Sequence, residues 1–148
     1  MDKLEPRLRT ITSDILPGDL PFPAAVQSGD TIYVSGNIGN IPGSYDLVPG
    51  GIGPQTRQTL ENMKTTVELS GSALNRVLKC TCFITDMADF AAMNEVYREF
   101  FVDHLPARST VAVKGLAFDA LVEIECIALI GNPAGPSIPN KVEHLARG

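Results

Sequence analysis

The hydrophobic pattern along the chain switches repeatedly between a period of two and a period of 3.6. Thr31-Ile-Tyr-Val-Ser35 is β-branched and aromatic, is bounded by Gly29-Asp30 and Gly36, and predicts a strand. Arg7 to Thr12 and Ala24 to Gln27 are weaker strand candidates that could form a hairpin with it. From Pro54 the spacing becomes helical: Thr56, Leu60, Met63 and Val67 share one face, proline is tolerated in the first turn, and Gly71 can end the helix. Val77 to Ile84 returns to strand character, with Leu78, Cys80, Cys82 and Ile84 expected on one face and Lys79 and Thr81 on the other. Asp86 or Asp89 can cap a second helix, whose stripe of Met93, Tyr97, Phe100 and His104 is widened by Phe90, Val96 and Phe101, and which Pro106 is expected to stop. Ser109 to Val113 and Leu121 to Ile130 predict two more strands. In the second, Val122, Ile124, Cys126, Ala128 and Ile130 alternate with Leu121, Glu123, Glu125 and Ile127.

Strands, helix, strand, helix and two strands describe an α+β domain with both helices on one face of a mixed sheet. Residues 1–131 form this one domain; after Gly131 the prolines and glycines of Asn132-Pro-Ala-Gly-Pro-Ser-Ile-Pro139 break regular structure, so 132–148 is expected to lie outside the core. Between Gly36 and Gly53 the chain carries six glycines and two prolines, a long irregular loop of the kind that is often functional. The sheet face holding Leu121, Glu123, Glu125, Ile127 and Leu129 is half apolar and has no helix to cover it, which predicts association into an oligomer.

Charge narrows the partners. The 148 residues carry a net charge of −5 with basic residues scattered, which argues against a nucleic-acid or anionic-membrane surface and for a small molecule or another protein. Cys80, Cys82 and Cys126 sit in apolar runs with no CxxC spacing and no accompanying histidine ligands, so buried, reduced thiols are expected rather than a metal site. The first residues mix charges and lack an apolar stretch, so neither a secretory signal nor a mitochondrial transit peptide is expected, and the cytoplasm is the default location.

No GxGxxG, P-loop, GxSxG or HExxH is present, and the two histidines, His104 and His144, are forty residues apart, which leaves acidic, basic and hydroxyl groups at strand ends. Arg108 follows Pro106-Ala107 in a segment poor in charge; its fork suits bidentate capture of a carboxylate, or a salt bridge to Glu123 or Glu125. Glu123 lies mid-strand among apolar residues, where a carboxylate is either paired or directed into a cavity. Glu123 and Glu125 lie on one side of a strand, roughly 7 Å apart, and like charges so placed raise each other's proton affinity, which suits one of them to moving a proton on a water. Ser35-Gly36-Asn37 offers a hydroxyl and flexible backbone to a ligand, or is simply a turn, and Asn94 could cap a loop or touch a substrate.

Together these residues resemble the reactive intermediate deaminase family, also called the Rid or YjgF family. The resemblance rests on Pro106-Ala-Arg-Ser-Thr-Val-Ala-Val113 followed by Leu121-Val-Glu-Ile-Glu-Cys-Ile-Ala128, on Gly29-Asp-Thr-Ile-Tyr-Val-Ser-Gly36, on Gln55-Thr-Arg-Gln-Thr-Leu-Glu-Asn62, and on Asp89-Phe-Ala-Ala-Met-Asn-Glu-Val-Tyr97 with Phe100-Phe101. It implies a chorismate-mutase-like subunit in a homotrimer whose sheets form a central barrel, with sites in clefts between subunits. It also implies hydrolysis of a small 2-imino or enamine acid to a 2-keto acid and ammonia, with no cofactor or metal. By the same resemblance Arg108 binds the carboxylate, Glu123 orients the water, and Ser35, Gly36 and Asn94 line the site. Two positions differ: Leu20-Pro21-Phe22 stands where the family's deaminases typically carry Gly-Pro-Tyr, so Phe22 lacks a phenol hydroxyl, and Thr110 stands where many have cysteine. A divergent member acting on another reactive intermediate, and a non-catalytic trimer binding small carboxylates or partner proteins, are the alternatives. A ribonuclease role fits the acidic chain least.

Overall fold

The computed structural model describes residues 8–131; the segment 132–148, with His144, lies outside the described residues. The elements run β1 (Leu8–Ile11), β2 (Ala25–Ser28), β3 (Thr31–Asn37), α1 (Ile52–Leu69), β4 (Val77–Ile84), α2 (Phe90–Phe100), β5 (Ala107–Ala112) and β6 (Val122–Leu129). The strands form one sheet in the order β1-β2-β3-β6-β4-β5, in which β4 and β5 are parallel and every other neighbouring pair is antiparallel. This is the expected α+β arrangement, with α1 and α2 packed together on the sheet. Among the described residues no helix is long and apolar enough to cross a membrane.

The core lies between the helices and the inward faces of the strands: Ile32, Val34, Cys80, Cys82, Ile84, Val122, Ile124, Cys126 and Ala128 meet Leu60, Met63 and Val67 of α1 and Met93 and Tyr97 of α2. All three cysteines are buried thiols, as expected. Burial pushes Cys80 up to about 11 and Cys82 up to about 12, so both stay protonated and unreactive at neutral pH.

Three expectations are corrected. The register of β4 against β6 slips between Val77 and Lys79, so Val77 turns inward and Leu78 is left exposed, out of phase with Cys80. Helix α2 ends at Phe100, well before Pro106, because Phe101 leaves helical geometry to bury its ring against Tyr97, 4.8 Å between centroids. His104 therefore lies beyond the helix rather than on its stripe, with Nε2 2.7 Å from the Val77 carbonyl.

The loop between β3 and α1 is held by side chains from α1. Buried Asn62 donates through Nδ2 to the carbonyls of Ile38 and Asn40, both at 3.0 Å. Asn40, also buried, donates in turn to the Ile15 carbonyl at 2.8 Å. Gln55 Oε1 accepts from the Leu121 backbone N–H at 2.9 Å, two residues ahead of Glu123. One polar stripe of α1 thus fixes three segments that border the site residues.

Candidate active site

The residues singled out in the sequence fall into two groups on opposite faces of the sheet. Arg108 pairs with Cys80 across β4 and β5, and Cys80 pairs with Cys126 across β4 and β6, so Arg108 and Thr110 project on the helix side. Glu123 pairs with Phe83 and projects on the other side, together with Glu125, which pairs with Thr81. Arg108 and Glu123 also stand on strands that flank β4, three residues apart in level, which is roughly 10 Å along the strands and roughly 10 Å across them. The two cannot grip one small molecule within a single chain, and a salt bridge from Arg108 to Glu123 or Glu125 is excluded on the same grounds. Among the described residues the one ion pair is the exposed Arg57–Glu99 bridge.

The first group is built by α2 against the edge strand β5. Phe90, Asn94 and Tyr97 recur at i, i+4 and i+7 and so share a face. The Arg108 guanidinium carbon lies 4.8 Å from the Tyr97 ring centroid and 5.6 Å from that of Phe90. Asn94 Oδ1 and Thr110 Oγ1 are buried without a hydrogen-bond partner. A cation with no carboxylate and two buried polar atoms with no partner, among the described residues, make an arrangement that a polar ligand completes. The sequence pointed to Arg108, Asn94 and Thr110; it missed Phe90 and Tyr97, which read as core, although their spacing from Asn94 was the available signal.

The second group is built around an irregularity in β3, whose register against β6 shifts between Val34 and Asn37, leaving Ser35 and Gly36 out of regular pairing. Ser35 Oγ donates to the Pro23 carbonyl at 2.8 Å and its backbone N–H donates to Ala24 at 3.0 Å, so Ser35 ties down the segment carrying Phe22. Glu123 packs directly on Gly36: a Cβ built there would lie 2.6 Å from Glu123 Oε2. Glu125, in contrast, is exposed beside Tyr33, Lys79 and Ile127. Which glutamate neighbours Ser35 and Gly36 was not legible from strand alternation; packing singles out Glu123. Its carboxyl is held above the ordinary carboxylate range, first by burial and then by the charge of Glu125. A cavity of about 290 Å³ adjoins this group, lined by Phe22, Ser35 and Gly36 with Asp14 and Asp19. Exposed Phe22 offers it a ring face and no hydroxyl.

The result is an α+β fold, a mixed six-stranded sheet carrying two helices, with Arg108, which has no carboxylate partner among the described residues, on one face and the partly buried Glu123 on the other. The comparisons place it. Residues 16–130 match the family described as Endoribonuclease L-PSP, so the chain belongs to that family, the Rid/YjgF family. It is similar to a RutC family protein of Pyrococcus horikoshii, 45% identical over 108 residues that cover 73% of this chain and 86% of that one. It is also similar to a protein of Dermatophagoides farinae named 2-iminobutanoate/2-iminopropanoate deaminase, 42% identical over 82% of this chain and 96% of that one. Among solved structures, that of Escherichia coli TdcF with bound serine superposes with a TM-score of 0.76 at 37% identity, covering 83% of this chain and 99% of that one.

Proposed function

We propose that this protein is a cytoplasmic homotrimer that hydrolyses small 2-imino or enamine acids to 2-keto acids and ammonia. The observation that carries the reading is the separation of Arg108 from Glu123: each group has the chemistry of half a deaminase site, and a second copy can bring the missing half. The names of the relatives favour the same reaction.

In this mechanism Arg108 binds the substrate carboxylate in bidentate fashion. Glu123 of the neighbouring copy accepts a proton from a water whose oxygen adds to the C=N carbon, giving a carbinolamine. That proton goes to the nitrogen as the carbinolamine forms; Glu123 then takes the carbinolamine hydroxyl proton and passes it to the nitrogen as the C–N bond breaks, so ammonia leaves and the carbon becomes the keto carbon. An imine is already electrophilic, so placing acid and water supplies most of the rate. The net charge of −5 argues against RNA as the substrate.

The test generates 2-iminopropanoate and 2-iminobutanoate in place with an amino-acid oxidase and follows their decay. Wild type is expected to accelerate decay, while Arg108→Ala and Glu123→Gln each lose on the order of a hundredfold in kcat/KM, the scale of losing charged hydrogen bonds at the reacting centre. A silent wild type that still binds 2-oxobutanoate would replace catalysis with carboxylate binding. Phe22 favours a second reading, a divergent member acting on a different imine. Faster turnover by Phe22→Tyr supports the first, and activity only on bulkier imines supports the second.

A pH dependence follows from Glu123, which accepts a proton only when ionised. Burial holds its carboxyl up, so the acid limb of kcat/KM lies above the ordinary carboxylate range, and Glu125→Gln, by removing the neighbouring charge, is expected to move that limb down. A pH–rate profile of the two proteins checks this; a limb that does not move removes Glu125 from the account.

A further inference from the structure

We propose that Tyr97 and Phe90 are positioning residues for Arg108, forming an aromatic cradle that aims the guanidinium at the substrate carboxylate without neutralising it. The inference rests on the deaminase reading and names what holds its key cation. A half-buried arginine ordinarily takes a carboxylate partner. Arg108 has none among the described residues; instead its guanidinium carbon stands 4.8 Å from the Tyr97 centroid and 5.6 Å from the Phe90 centroid. Ring faces attract the cation through their quadrupole and supply no acceptor, so all five N–H donors stay available to a ligand. A counter-ion carboxylate would compete with the substrate for the same fork.

Tyr97 is suited to this by its face rather than its hydroxyl. The ring is buried, locked against Phe101 at 4.8 Å between centroids, and its hydroxyl is buried with only the weak Cys80 thiol beside it. Phe90 begins α2 and Tyr97 lies two turns on, so one rigid helix carries both walls of the cradle and Asn94 between them.

The experiment incorporates 3,4,5-trifluorophenylalanine at position 90, and separately at 97, in the full chain; fluorination keeps ring shape but withdraws the negative face. Phe90→Leu, Tyr97→Leu and Tyr97→Phe complete the series. KM for 2-iminobutanoate and Kd for 2-oxobutanoate are expected to rise about three- to tenfold on fluorination or in the Leu variants, with kcat within about twofold, whereas Tyr97→Phe stays at wild-type values. Unchanged KM and Kd on fluorination, or equal losses in kcat and thermal stability, would overturn the cradle and make both rings plain packing. Should wild type turn over no imine, the deaminase reading fails, and the cradle is judged by NMR of the Arg108 Nε–Hε. An upfield ring-current shift that the Leu variants abolish upholds it; a shift that they leave in place refutes it.

Discussion

Mixed trimers from co-expression of Arg108→Ala with Glu123→Gln are expected to show about one third of wild-type activity, although each variant alone is nearly silent. In a cyclic trimer each composite site takes Arg108 from one copy and Glu123 from the next. In every trimer that holds both variants, one site of the three receives an intact arginine from a Glu123→Gln copy and an intact glutamate from an Arg108→Ala neighbour, about one third of the wild-type complement. The expectation rests on sheet geometry: Arg108 shares its face with Cys80 and Cys126, Glu123 shares the other with Glu125, and no side-chain rotation carries either through the sheet. The measurement uses two distinguishable tags, purification through both in turn to isolate mixed trimers, and the imine-decay assay. Mixed trimers as inactive as either parent would place the chemistry inside one chain and sink the composite site. Migration as a monomer in light scattering would do the same.

The same geometry shows where a sequence can and cannot be read. The alternation Val122, Ile124, Cys126, Ala128 against Glu123 and Glu125 is visible in the chain and holds in the structure, because an eight-residue strand with one buried face declares its own parity. The parity of Arg108 is a different matter. It depends on which residue of β4 it pairs with, a long-range choice, and β5 at the sheet edge is exposed along much of its length, so its hydrophobic pattern is mute. The slip at Leu78 escaped for a related reason: a one-residue irregularity leaves every residue type plausible on either face. The resemblance motif did include Gln55 and Asn62, but a glutamine and an asparagine on a helix look like solvated positions until a glycine-rich loop is folded over them. Phe90 and Tyr97 were hidden by their own hydrophobicity, since a ring that packs in the core and a ring that cradles a cation share one periodicity.

Gly36→Ala is expected to lower kcat/KM on the order of a hundredfold while leaving the fold intact. The backbone at Gly36 lies outside the left-handed region, so alanine fits it without conformational strain, and the smaller entropy of the unfolded chain adds up to about 1 kcal/mol of stability. The obstacle is local: the new methyl carbon would lie 2.6 Å from Glu123 Oε2, 2.7 Å from Cδ and 3.0 Å from Cγ. Ordinary carbon contacts need about 3.5–4.0 Å, so the carboxylate must shift by roughly 1 Å. A displacement of that size at a proton-transferring group is enough for a hundredfold loss. Thermal unfolding and imine decay on the same sample separate the two effects, with a melting temperature near that of wild type and a collapse in rate. The decisive comparison is the double variant with Glu123→Gln: if Gly36 acts through Glu123, adding Gly36→Ala to Glu123→Gln changes the rate no further. A second, independent loss in the double variant would show that the glycine serves the substrate directly, through backbone approach, and full activity in Gly36→Ala would remove the Glu123 carboxylate from the reaction.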